Sequence, residues 1–137
     1  MPESLAYYVM LLKKSFTGYC SERLQELGLS QGLLYFILYI GKHPGCSPSS
    51  LAGGLQMDNG HVNRCLAKLI HGGFISQEIN PDDRRGRILR LREKGTEAFR
   101  ISHDLFTRWD NEIMQEMPEA DRKYLLSLLQ GLAAARK

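Results

Sequence analysis

The sequence predicts a mainly α-helical fold with one small β-hairpin, and two patterns of apolar residues carry this prediction. Over most of the 137 residues, apolar side chains recur at three- and four-residue steps, as they do on the buried stripe of a helix. Between Ile75 and Arg92 this period is lost, and apolar residues alternate with polar ones, as in paired strands. The expected order is therefore four helices, two strands and two further helices.

Local signals set the limits of the first three predicted helices. The first is expected to end at Gly28, since glycine favours the left-handed conformation that closes a helix. Ser30 is the N-cap candidate of the second, which must stop by His43 because Pro44 disfavours helix in the residue before it. Ser47, which is followed by a proline at the first helical position, opens a short third helix.

The fourth predicted helix begins after Asp58, its N-cap candidate, and ends at Gly72. Its apolar residues fall on one stripe: Val62, Cys65, Leu66, Leu69 and Ile70. A short polar-faced helix, preceded by another short helix across a three-residue break, predicts a helix-turn-helix. The polar side supplies the candidate DNA-contacting residues, which are Asn59, Gly60, His61, Asn63, Arg64 and Lys68. Taken without its neighbours, this segment is more simply interpreted as an ordinary amphipathic surface helix.

The predicted hairpin has a charged tip, and this feature favours DNA binding. Alternation holds from Ile75 to Ile79 and again from Leu89 to Leu91, which places the tip at residues 80–87. The tip joins an acid pair to an arginine cluster: Asp82, Asp83, Arg84, Arg85 and Arg87. A pair between Asp83 and Arg85 or Arg87 would hold an arginine outward, and arginine is favoured in narrow minor grooves. Helix and hairpin together predict a winged helix; the alternative is a solvated loop with weak surface ion pairs.

The distribution of charge also favours a nucleic-acid partner. Residues 57–92 contain seven basic and four acidic residues, so they carry the whole net charge of +3. A local basic excess on an otherwise neutral chain predicts a surface that faces a polyanion. For this feature alone, a charged face that is merely solvated is the alternative.

Helical spacing resumes after Gly95 and predicts a fifth helix that reaches Met117, followed by a sixth that Pro118 opens. The first and last helices carry more apolar residues than a chain of this size needs for one core. We therefore expect a homodimer, which presents two copies of the recognition helix to a pseudo-palindromic operator in double-stranded DNA.

Residues 80–95 resemble the wing of the MarR family of winged helix-turn-helix transcription regulators. In that family an Asp-x-Arg wing is followed by an alternating strand and a Lys-Gly pair that starts the next helix. Asp83, Arg85 and Lys94-Gly95 match this pattern. Residues 66–75 are similar to the end of the family's recognition helix, where a leucine-rich turn gives way to glycine and an apolar strand.

The resemblance covers the whole chain and implies its organisation. It implies an N-terminal dimerisation helix at residues 1–28, a winged helix-turn-helix DNA-binding domain at 29–95, and C-terminal dimerisation helices at 96–137. The flanking helices would form the dimerisation region of a cytoplasmic, DNA-binding regulator, most simply a repressor.

The resemblance also implies residue roles. Asp83 and Arg85 take the wing's acid and arginine roles, and Arg64 matches the arginine in the middle of the recognition helix. Residues 58–61 stand where the family has a Ser/Thr-rich start, and Asn63 replaces a common threonine. Because of these departures, the operator sequence cannot be carried over from relatives.

MarR-like proteins commonly bind a small, often aromatic ligand between the dimerisation helices and the winged domain, and the resemblance implies such an effector here. The candidate lining residues are aromatic side chains with two groups that suit an anion: Phe16, Tyr19, Tyr35, Tyr39 and Trp109, with Arg23 and His43. The alternative for each aromatic residue is a plain role in the core.

Three cysteines with no CxxC spacing favour a reducing compartment over a disulfide framework. Some MarR-like proteins sense oxidants through cysteine, which makes Cys46 and Cys20 candidate redox switches. Cys65 lies on the apolar stripe and is expected to be a packing residue. His61 and Cys65 are spaced for a metal chelate but have no third ligand nearby, so no metal site is predicted.

Other function classes lack sequence support. The chain has no Gly-rich phosphate loop, nucleophile motif or cofactor motif, so no enzyme and no cofactor are expected. No signal peptide or membrane-spanning run is apparent, and we expect a cytoplasmic protein without a membrane partner. The leading hypothesis is a ligand-released regulator. A thiol-based redox regulator of the same fold is the first alternative. A winged-helix protein-interaction module is the second, and the arginine-rich tip counts against it.

Overall fold

The computed structural model describes residues 3–135, and these form six helices and one antiparallel hairpin in the predicted order. The elements are α1 (Leu5–Leu27), α2 (Gln31–Lys42), α3 (Pro48–Leu55), α4 (Asn59–His71), β1 (Ile75–Asn80), β2 (Asp83–Leu91), α5 (Glu93–Ile113) and α6 (Glu119–Ala134). The chain divides into two compact units, Met1–Leu105 and Phe106–Lys137, and the division falls within α5. The first unit contains the complete winged helix-turn-helix.

The caps that end and begin the helices act largely as the sequence predicts. Gly28 adopts a left-handed conformation with φ of 73°, and its N–H donates to the carbonyl of Gln25 at 3.0 Å. The Ser47 hydroxyl accepts the N–H of Ser50, while the Ser50 hydroxyl accepts the N–H of Ser47, which forms a capping box. Ser30 occupies the N-cap position of α2, but its side chain accepts no capping hydrogen bond.

The core of the first unit is built from one apolar stripe per element. Its largest fully buried side chains include Leu34, Phe36, Ile37 and Ile40 of α2, Leu51 of α3, Val62 and Leu69 of α4, and Ile75 and Leu89 of the hairpin. Each apolar stripe packs against another element, because exposing an apolar helix or sheet face to water is unfavourable. The core therefore fixes α4 and the base of the hairpin on one scaffold.

The loop before α3 is hydrogen-bonded to the hairpin like a short third strand. The Gly45 N–H donates to the Leu89 carbonyl at 3.1 Å, and the Leu89 N–H donates to the Cys46 carbonyl at 2.8 Å. Gly45 has a φ of 82°, a conformation that suits glycine. At the base of the hairpin, the Arg92 N–H donates to the Phe74 carbonyl at 2.9 Å. These bonds attach the wing to the helix-turn-helix.

The wing is longer and more irregular than the alternation pattern predicts. The second strand begins at Asp83, so the prediction that the tip spans residues 80–87 is wrong. Pairing runs from Ile75 with Leu91 up to Ile79 with Arg87, and then passes directly to Asn80 with Asp83. Residues 84–86 therefore form a bulge that faces no residue of β1.

Three further expectations about the elements are wrong. The predicted buried stripe of α4 includes Ile70, but this side chain is 37% exposed. Helix α5 begins at Glu93, before Gly95, because the Thr96 N–H already donates to the Arg92 carbonyl at 2.8 Å. It ends at Ile113 rather than Met117. Among the described residues, no helix combines the length and the apolar character that crossing a membrane requires.

Candidate nucleic-acid interface

Helix α4 has one anchored face and one exposed face. Four side chains hold it to the core: Val62, Cys65, Leu66 and Leu69 are all at most 7% exposed. The six predicted DNA-contacting residues of this helix are all exposed, namely Asn59, Gly60, His61, Asn63, Arg64 and Lys68. The arrangement therefore places a polar surface on a helix whose position the core fixes, as major-groove recognition requires.

The first turn of α4 is closed by Asp58. One carboxylate oxygen of Asp58 accepts the N–H of His61 at 2.8 Å, which satisfies a donor that the helix itself leaves unpaired. This bond holds the pKa of the Asp58 carboxyl below its ordinary value, and the positive charge of Arg64 lowers it further. The carboxylate is thus fully ionised beside the residues that would approach DNA.

The His61 side chain lies against its own helix and against α2. Its Nε2 atom lies 3.6 Å from Sγ of Cys65, and its ring stands edge-to-face to Phe36 with centroids 6.4 Å apart. Asn59 and Asn63, in contrast, make no side-chain hydrogen bond to any residue among 3–135. The two asparagines are therefore available for base edges, while His61 has contacts that it must give up.

The wing tip is held by bonds between side chains and its own backbone. The Asn80 side-chain oxygen accepts the N–H of Asp82 at 2.9 Å, and the Asp83 carboxylate accepts the N–H of Arg85 at 3.1 Å. The guanidinium of Arg87 donates back across the bulge to the carbonyls of Arg84 and Gly86, at 3.2 and 3.1 Å. Local bonds of this type explain why the strand carries a bulge here.

Arg85 projects from the wing into solvent. Its Nε atom lies 3.8 Å from the Asp83 carboxylate, yet its side chain is 96% exposed. Of the two partners that the sequence allows for Asp83, the structure thus selects Arg85, whereas Arg87 is committed to the backbone. Arg84 is also exposed. The wing therefore presents Arg84 and Arg85 to solvent, in the position suited to a phosphate or a narrow groove.

The predicted effector residues are dispersed over several elements. Phe16, Tyr19, Tyr35 and Tyr39 are half-buried, Arg23 and His43 are exposed, and Trp109 is half-buried in the second unit. Tyr39 has a structural task, because its hydroxyl donates to the Ser50 carbonyl at 3.1 Å and its ring lies 4.3 Å from that of His43. It thereby connects α2 to α3. The effector assignment of these residues stays a prediction.

An open cleft of about 570 Å³ lies at the base of the wing, and its lining includes none of the predicted effector residues. The lining comprises Glu26, Leu27, Gly73, Phe74, Arg92, Glu93, Lys94 and Glu97. Lys94 donates to the Gly72 carbonyl at 2.9 Å and lies 4.4 Å above the Phe74 ring. The family pattern includes Lys94, but nothing in the sequence predicts that its side chain braces the turn after α4.

Cys20 and Cys46 share a low tendency to ionise. Burial raises the pKa of the Cys20 thiol, and burial also raises that of Cys46 despite an opposing backbone hydrogen bond. A raised pKa reduces the thiolate fraction and so counts against either residue as an oxidant sensor. Cys65 is buried, as expected for a packing residue. Within residues 3–135, no group of three or more potential metal ligands comes together.

This arrangement is similar to that of known transcriptional regulators. The sequence model of the MarR family matches residues 33–86, which contain the helix-turn-helix and most of the wing. The chain is 39% identical to HTH-type transcriptional regulator BilQ of Clostridium symbiosum (strain WAL-14163), over all of this chain and 95% of that protein.

Two solved structures share the fold at lower identity. One is a mutant MarR from E. coli complexed with operator DNA, with a TM-score of 0.80, 21% identity, and coverage of 93% of this chain and 92% of that one. The other is the PcaV transcriptional regulator from Streptomyces coelicolor in complex with its natural ligand. It has a TM-score of 0.82, 14% identity, and coverage of 99% and 96%.

Proposed function

The chain belongs to the MarR family of DNA-binding transcription regulators, and on that premise we propose that it is a homodimeric repressor released by a small effector. In this proposal residues 29–95 bind a pseudo-palindromic operator, while residues 1–28 and 96–137 join the two subunits. Helix α4 enters the major groove, and the wing arginines contact the flanking minor groove.

One observation supports the assignment of the DNA-binding site. A helix that is anchored in the core and has an exposed polar face is followed by a wing whose arginines point outward. The polar face consists of the six exposed residues of α4, and the wing adds Arg84 and Arg85. We assign base contacts to Asn59, Asn63 and Arg64, because these side chains project from the first two turns of the helix. Lys68, Arg84 and Arg85 are assigned to phosphates or the minor groove.

Exposed apolar side chains support the homodimer. On α1, six large ones are exposed in the single chain: Leu5, Tyr8, Val9, Met10, Leu11 and Leu12. On α6, another six large ones are exposed: Tyr124, Leu125, Leu126, Leu128, Leu129 and Leu132. Contiguous apolar surface of this kind is rare on monomers and typical of subunit interfaces. Each helix therefore has a face that a second copy would cover.

The effector part of the proposal is supported by half-buried aromatic side chains and by the ligand that PcaV binds. Phe16, Tyr19 and Tyr35 are each half-buried, and aromatic residues of this kind suit stacking with an aromatic effector. An effector releases the operator only if it binds the DNA-free arrangement of the dimer more tightly than the DNA-bound one.

The direct test selects the operator from a random library of duplex DNA and then measures binding by fluorescence anisotropy across a range of salt concentrations. We expect a sequence with two inverted half-sites about one helical turn apart, and tight binding that weakens steeply with salt. A scrambled duplex of equal length is the control. Absence of salt-sensitive binding to any duplex would overturn the proposal in favour of a protein-interaction module.

Repression is tested separately by run-off transcription from a promoter that contains the selected operator. The protein should lower the amount of transcript in proportion to operator occupancy, and a promoter with the scrambled sequence should be unaffected. An increase in transcript from the operator promoter would identify an activator and contradict the proposed sign of regulation.

A further inference from the structure

The first turn of α4 has a gap over Gly60 that two charged side chains border. A Cβ atom at Gly60 would lie 3.3 Å from Oδ1 of Asp58 and 3.5 Å from Nη1 of Arg64. Arg64 is four residues after Gly60, and side chains on a helix lean toward its N-terminus. The guanidinium of Arg64 therefore lies back over Gly60, toward the Asp58 carboxylate.

From this geometry we infer that Asp58 is a positioning residue for DNA recognition, which draws Arg64 over Gly60 and thereby directs it at a base edge. The inference rests on the proposed DNA site. The natural target of a guanidinium so placed is the O6 and N7 pair of a guanine in the major groove. Gly60 contributes by leaving the first turn open beside both charged groups.

The attraction between the two groups is directional without being a locked ion pair. No salt bridge joins Asp58 and Arg64 within the described residues, whereas their opposite charges are close enough for Arg64 to lower the pKa of Asp58. The same Oδ1 atom is already committed to the N–H of His61. Arg64 is thus oriented in the free protein. Its guanidinium can exchange the attraction to Asp58 for a contact with a base at little cost in free energy.

The Asp58 carboxylate also affects contacts with phosphates differently from the contact of Arg64 with a base edge. Its charge repels phosphates, so it weakens binding to every duplex in the same way. It favours the conformer of Arg64 that extends along the first turn over conformers that reach sideways to the backbone. Its expected effect is to lower non-specific affinity and to raise the preference for the operator.

The central experiment is the substitution Asp58→Asn, with the ratio of scrambled to operator Kd as the readout. Asparagine caps helices as well as aspartate does, so α4 should keep its helicity by circular dichroism. We expect tighter binding to scrambled duplex and a fall in the ratio of about fivefold or more. A fall of this size corresponds to losing part of the discrimination that one bidentate base contact provides. Asp82→Asn, which removes an exposed charge from the wing, is the matched control and should leave the ratio unchanged.

A second substitution narrows the gap and keeps both charges. Gly60→Ala places a Cβ atom 3.3 Å from the Asp58 carboxylate, which must shift by a few tenths of an ångström, and in van der Waals contact with the Arg64 guanidinium. Alanine also favours the helix more than glycine does. Its matched control is Gly53→Ala in α3, where a Cβ atom would meet nothing within 4 Å. We expect the ratio to fall in Gly60→Ala and to stay at the wild-type value in Gly53→Ala.

A double-mutant cycle separates positioning from any general role of Asp58. In an Arg64→Ala background, Asp58→Asn should leave the ratio as it is in Arg64→Ala alone, because there is no guanidinium left to direct. Equal ratios in wild type, Asp58→Asn and Asp82→Asn would overturn the inference while leaving the DNA-binding function intact. A wild-type protein with no preference for any selected operator would instead remove the proposed function, and the inference with it.

Discussion

The recognition helix and the wing present polar side chains to the same partner, but they are built in opposite ways. Helix α4 is fixed by four buried side chains, and its exposed face inherits that rigidity. The outer part of the wing has no buried face: Gln77, Glu78 and Ile79 are all exposed, and local bonds to the backbone shape its tip. A rigid surface suits base-specific contacts, while an adaptable charged one suits contacts with the DNA backbone.

The largest expected difference between the two regions is in stability. Leu69→Ala empties a fully buried position in α4 and should lower the free energy of unfolding by about 2–5 kcal/mol. Ile79→Ala, at a position 60% exposed in the wing, should change it by less than about 0.5 kcal/mol. Urea unfolding of both variants measures the contrast. Similar losses would mean that the wing is anchored as firmly as α4.

Next in size is the effect of a wing cation on DNA affinity. Arg85→Ala should weaken binding to operator and scrambled duplex by the same factor, and should reduce the slope of log K against log salt by about one. Arg87→Ala is the comparison variant and should reduce the slope less, because the Arg87 guanidinium already donates to the carbonyls of Arg84 and Gly86. A sequence-dependent loss in Arg85→Ala would show that the wing reads bases.

The smallest expected effect concerns two aspartates that each accept a backbone N–H. Because the pKa of Asp58 is lowered in the folded protein, its stabilisation is complete above the pKa of the unfolded carboxyl and is lost as pH falls through the lower folded value. Asp58→Ala should therefore lower the urea midpoint at neutral pH and flatten its decline below about pH 4. Asp83→Ala, in the wing, should shift the neutral midpoint less. An equal shift would show that both bonds are equally important for folding.

The same contrast explains what the sequence could predict. The limits of α4 depend on neighbours in sequence, so Asp58 and Gly72 sufficed to place them. The exposure of Ile70 is not predictable from the sequence, because the width of a buried stripe depends on what packs opposite, which no local pattern contains. The bulge is not predictable from alternation, because Asn80 and Asp83 replace strand pairing with bonds to nearby backbone N–H groups.

The sequence predicts which residues form the candidate site but not how those residues interact. Residue type and spacing predicted the exposed face of α4, since polar residues on a short anchored helix must face solvent. The proximity of Asp58 and Arg64 was not predictable from helical spacing, because residues six apart lie on different faces. It depends on the length of the arginine side chain and on the missing side chain of Gly60. The bond from Tyr39 to Ser50 depends on how α2 packs on α3, which is tertiary information.

The most direct test of this account is the Kd of Asn63→Ala for the selected operator and for operators with single base changes. Asn63 is exposed on the anchored helix, with no side-chain hydrogen bond among the described residues. The account predicts that affinity for the operator falls about tenfold and that the penalty for changing one particular base pair in each half-site disappears, while scrambled duplex binds as before. An equal loss of affinity on every duplex would contradict base recognition by α4.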